Sequence, residues 1–126
     1  MGFFHCLVIG EKQGGGLQSL DVTFDEAYQR LETLPRMFLE PDGSFVWVSP
    51  HRNAARWQID GNIQDAGPRL HSVILSGQCD LDSFRQLLSC FRRADERLAF
   101  ELLQTGEYLA EFEFLSRFFT DDVDSA

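Results

Sequence analysis

Arg56, Gln58, Asp60, Asn62 and Gln64 occupy every second position of one short segment. Alternate residues of a β-strand share a face, so a strand here sets a guanidinium, a carboxylate and three amides in one row. Such a row suits recognition. Arg and Asp make charge-assisted hydrogen bonds, and Arg and Trp are enriched where binding energy concentrates. Trp47 and Trp57 lie nearby, placed to flank a groove or stack on a ligand. The plainer reading of the row is the solvated face that an open antiparallel sheet must have. In that reading Trp57, in phase with Ile59 and Ile63, and Trp47, in phase with Phe45, are core.

Other chemistry lacks its spacing. His5, His51 and His71 form neither H-x-x-x-H nor H-E-x-x-H. A hydrolytic metal site would have to gather His51, His71, Asp60 and Glu40 from separate strands. Cys6, Cys79 and Cys90 are an odd number without a C-x-x-C, which is neither a disulfide framework nor a zinc motif. No G-x-S-x-G is present. In GEKQGGGLQS the lysine, Lys12, precedes the glycines, whereas a phosphate-binding P-loop needs it after them. Glu111, Glu113, Asp121, Asp122 and Asp124 lack the spacing and glycine of a calcium loop. No catalytic residue, metal ligand or cofactor is therefore assigned.

A third feature is apolar. Tyr108, Leu109, Phe112, Phe114, Leu115, Phe118 and Phe119 crowd the last segment. As a helix it is apolar further around than one core-facing stripe requires. Tyr108, Phe112, Phe114 and Phe118 are thus candidates for a self-association interface, unless the segment begins as a strand.

Net charge limits the partners. Twenty carboxylates against eleven basic residues give −9. That disfavours nucleic acid, which needs a concentrated basic surface, and disfavours an anionic membrane. The apolar GFFHCLVI is too short to span a bilayer and lacks a signal peptide's basic leader and cleavage site. The expected compartment is the cytoplasm, and the expected partner is a protein or a second copy.

The elements that must position these residues follow from periodicity. A length of 126 residues fits one domain, and twelve phenylalanines supply much of a core. Residues 1–20 read as a strand or arm followed by a Gly-rich loop, 21–119 as a single α+β domain, and 120–126 as an acidic flexible tail. Thr23-Phe24-Asp25-Glu26 is a capping box that opens a helix, which Pro35 ends. Met37–Glu40 and Ser44–Ser49 flank the turn Pro41-Asp42-Gly43. Pro50-His51-Arg52-Asn53 connects them to the strand Arg56–Gln64, and a second turn leads to Arg69–Ser76. Leu81–Arg93 reads as a helix capped by Asp80 or Asp82, Leu98–Gln104 as a strand and Glu107–Phe119 as a helix. The expected fold is α+β: an antiparallel sheet of four to six strands with two or three helices packed mainly on one face. The expected function is a non-enzymatic interaction or accessory module, acting as a dimer or on a protein partner. The alternative is a small-molecule binding protein or small enzyme that uses the polar sheet face.

Overall fold

A computed structural model describes residues 2–49, 56–67 and 69–119. The acidic tail at 120–126 and the whole 50–55 connection, with His51, lie outside them.

Local signals set the first helix. α1 (Phe24–Glu32) begins at Thr23, whose Oγ1 accepts from Glu26 N at 3.0 Å, while Thr23 N donates to Glu26 Oε1 at 3.1 Å. These bonds satisfy backbone donors that a helix start leaves free. Val22 and Ala27 are fully buried on either side of the box.

β1 (Phe4–Glu11) and β2 (Leu17–Gln18) form a hairpin across the glycine loop. Gly14, Gly15 and Gly16 all take positive φ there. β3 (Met37–Leu39) and β4 (Ser44–Val48) are the next hairpin, and β5 (Gln58–Ala66) pairs with both β4 and β6 (Arg69–Gln78). α2 (Leu81–Ser89) is capped by Asp80, which accepts from Ser83 N at 2.7 Å. β7 (Leu98–Leu102) and β8 (Tyr108–Ala110) precede α3 (Glu111–Phe118).

All pairings are antiparallel, in the order β3-β4-β5-β6-β1-β7-β8, with β2 also on β1. The sheet thus has eight strands among the described residues, which corrects the expected four to six. Six were readable from periodicity. The other two are two and three residues long, too short to show any. The stretch from Glu107 is also not one helix: Tyr108–Ala110 pairs with β7, and α3 starts after it. The second helix also ends before the expected Arg93: it stops at Ser89, so Arg92 and Arg93 lie beyond it.

Helices cover one face only. Phe4, Cys6 and Val8 of β1, Phe45 and Trp47 of β4, Ile59 and Ile63 of β5, and Phe100 of β7 point to a core shared with Leu31, Phe84, Leu88 and Phe114 of the helices. Stacked and edge-on rings join Phe4, Phe84, Phe100 and Phe114. The opposite face carries Val46, Asp60, Ser76 and His5 in one cross-strand row, with no element packed over it among the described residues. No helix among those residues is long and apolar enough to cross a membrane.

Candidate functional site

On the bare face, one end of the sheet sinks into a depression of about 730 Å³. Strand register builds its floor. Val48 stands opposite Gln58, and Gln58 opposite Gln78. One row further in, Asp60 stands opposite Ser76. On the β3 side Val48 N reaches the Arg36 carbonyl at 3.4 Å, so Arg36 bounds the floor there. Phe3, next to the strand residue Phe4, bounds it on the β1 side and is 64% exposed. Arg56 and Trp57 close the end where the chain enters β5.

Backbone geometry at Arg36 is unusual. It has φ 62°, the one positive φ of a non-glycine residue among those described. The left-handed region costs an ordinary residue about 1–2 kcal/mol, and glycine would take it without that cost. Here the turn carries the chain from α1 past Pro35 into β3, and the Pro35 carbonyl accepts a hydrogen bond from Trp47 Nε1 at 2.9 Å. Gly77, on the other side of the floor, has φ 144°, and a Cβ there would collide with the Gln58 carbonyl.

Among the floor residues, Gln58 Nε2 donates to Asp60 Oδ1 at 3.1 Å. Neither Arg36 nor Arg56 has an acid partner among the described residues. Arg30, Arg69, Arg92, Arg93 and Arg117 all do. The lining thus holds two arginines and one carboxylate, and the Gln58 amide engages that carboxylate.

The residues singled out in the sequence separate as follows. Arg56, Trp57, Gln58 and Asp60 line the depression together. Asn62 shares their face but lies beyond it, between Ser44 and Ile74. Gln64 is taken by Ser72, whose hydroxyl donates to Oε1 at 3.0 Å. Because that hydroxyl proton is committed, His71 Nδ1, 2.8 Å from Ser72 Oγ, must be the donor between them. Trp47 is buried at 1% exposure and faces the core, while Trp57, at 7%, packs in the core and still reaches the rim. No three His, Cys, Asp or Glu side chains among the described residues are grouped to hold a metal ion.

At the other end of the sheet, Phe114 is fully buried and Phe118 is half-buried against Phe4 and Phe114. Tyr108 and Phe112 are exposed, at 50% and 80%. Most of the apolar excess in the last segment therefore goes into the aromatic core.

Arg36, Phe3, Ser76 and Gln78 were not candidates from sequence. Ser76 and Gln78 had a partial signal: the two flank Gly77 with the same alternation as β5, but counting outward from the turn would set Leu75 and Gly77 opposite Asp60 and Gln58, and only the register shift between Gln64 and Asp65 brings Ser76 and Gln78 there. Arg36 had none, since it comes to the site through a turn and two strand pairings.

No protein-family model matches the chain, and no curated protein or solved structure is significantly similar to it.

Proposed function

We propose that this α+β domain is a binding module without chemistry of its own that takes a small molecule in the depression on its bare sheet face. The observation that carries this reading is the convergence of Arg56, Trp57, Gln58 and Asp60 with Arg36 on one concavity. Ligand sites are typically concavities of about 300–1,000 Å³, and this one falls in that range, with Phe3, Val48 and Trp57 offering apolar contact among its polar groups. Its groups suit holding rather than turnover: guanidinium, amide, hydroxyl and one carboxylate, with neither nucleophile–base pair nor metal cluster among the described residues. The buried thiols of Cys6, Cys79 and Cys90 suit a reducing, cytoplasmic setting.

The test is a fragment library of mixed charge, screened by protein-observed NMR on the wild type and on Ser76→Trp, which fills the floor. Hits that move the Trp57 indole resonance and are lost in the variant support the reading. A screen with no hits there sinks it.

A second reading, an interaction module that self-associates or docks a protein, rests on Phe112 and Tyr108, the exposed aromatics near the β8 edge. Light scattering of wild type and Phe112→Ser decides it. A dimer dispersed by the substitution supports it, and a wild-type monomer at high concentration removes the dimer.

A further inference from the structure

We infer that the ligand of the depression is an organic anion, a carboxylate or phosphate on an apolar body, held between Arg36 and Arg56. The inference rests on the small-molecule reading above and names what that site selects.

Charge is the first support. The chain carries −9, and five of its arginines are tied to carboxylates. Two that are not stand at this one concavity, with Asp60 as the sole acid lining it among the described residues. The site therefore holds a local surplus of positive charge on an acidic protein. Guanidinium groups match carboxylate and phosphate oxygens in geometry and charge.

Backbone is the second support, independent of charge. Arg36 sits at φ 62°, where glycine fits with least strain. Arginine at this strained position lines the depression, where glycine would take the same turn and contribute no side chain. Strain of this kind gathers at ligand sites.

The rest of the lining sets the body of the ligand. Phe3, Val48 and the edge of Trp57 offer apolar contact, and the Gln58 and Gln78 amides and the Ser76 hydroxyl offer neutral hydrogen bonds. Asp60 acts against a second negative charge near the middle of the floor. It favours a ligand whose anionic group is at one end.

Four probes test this on the full chain: phenylacetate, phenyl phosphate, neutral phenylacetamide and inorganic phosphate, each followed by the Trp57 indole and arginine side-chain resonances. Binding of either phenyl anion at least about tenfold tighter than phenylacetamide, a difference that one charge-assisted contact supplies, supports the inference. Which of the two binds tighter identifies the carboxylate or the phosphate. Weaker binding of inorganic phosphate than of phenyl phosphate supports the apolar body. Arg36→Gln and Arg56→Gln should each weaken the anion about tenfold, Asp60→Asn should tighten it, and Arg85→Gln, a cation outside the site, should leave it unchanged. If phenylacetamide binds as well as both phenyl anions, or both arginine variants bind normally, the anion is wrong. Neutral fragments found at the same depression would then keep the small-molecule reading. A fragment screen that also comes back empty removes both.

Discussion

Trp47 and Trp57 meet edge to face, their ring centroids 4.9 Å apart and their planes at 72°. Each ring is one bond or one residue from an arginine of the depression. Trp47 Nε1 donates to the carbonyl of Pro35, the residue before Arg36, and Trp57 follows Arg56 in sequence. The core therefore anchors both cations through one aromatic pair. Trp47→Phe removes the hydrogen bond and leaves a small void, so it should cost about 2 kcal/mol in urea unfolding. It should also weaken ligand binding, although Trp47 itself is 1% exposed. Unchanged binding would show that Arg36 is placed without this anchor.

Arg36→Gly relieves a left-handed arginine but frees the unfolded chain. The two effects oppose each other, at about 1–2 kcal/mol of relief against up to about 1 kcal/mol of added entropy. Stability should be unchanged or slightly higher, while anion binding falls. A clear loss of stability would mean that the Arg36 side chain supports the fold.

Gly77→Ala should cost at least about 2 kcal/mol, because φ is 144° and the new Cβ meets the backbone of the neighbouring strand. Gly67→Ala, also at positive φ but with open space around it, should cost about half that. Equal losses in thermal unfolding would contradict the close approach of β5 and β6.

Phe114→Ala should cost about 3–5 kcal/mol, since its ring is buried and stacks on Phe84 and Phe100. Phe112→Ala should stay within about 0.5 kcal/mol at its exposed position. Comparable losses would put Phe112 in a contact of its own.

Two glutamates should respond to pH in opposite directions. Burial raises the Glu96 carboxyl above its ordinary value, although Asp21 N donates to Oε2 at 2.9 Å. The folded state therefore binds that proton more tightly than the unfolded chain. Its protonation favours folding in acid, and that contribution is lost as pH rises through the unfolded and then the folded value. Glu96→Gln should stabilise the protein at neutral pH, by less than about 1 kcal/mol given its partial exposure, with the gain gone in acid. The Glu26 carboxyl is lowered, first by the hydrogen bond from Thr23 N and then by Arg93 and Arg30. Its contribution is present above the ordinary carboxylate range and is lost as pH falls through the lowered value. Glu26→Gln should therefore destabilise at neutral pH and matter least in acid. Parallel pH profiles for the two variants would contradict these assignments.

What the sequence revealed was local. Thr23 and Glu26 announce α1 because the cap is made within four residues, and the Arg56–Gln64 alternation separates the two faces of β5 because side-chain direction has period two. β2 and β8 escaped because Leu17–Gln18 and Tyr108–Ala110 become strands only by lying beside β1 and β7. Tyr108, Phe112, Leu115 and Phe119 mimic a helical stripe across a boundary that only the pairing of β8 with β7 creates. Half of the site was visible for the same reason. Arg56, Gln58 and Asp60 share a strand, whereas Arg36, Ser76 and Phe3 reach it through three others.

The position of β1 orders events in time. It is synthesised before every other strand, yet it lies between β6 and β7, which begin at Arg69 and Leu98. While the chain emerges from the ribosome, β2 pairs only with Gly10 and Glu11, so the segment from Phe4 to Ile9 has no strand partner among the described residues until β6 follows, and its β7 edge stays open longer still. Such late closure is slow, and it leaves a sticky strand exposed meanwhile. A nascent chain stalled before Leu98 should be the species that chaperones hold, and release from them should coincide with the arrival of β7.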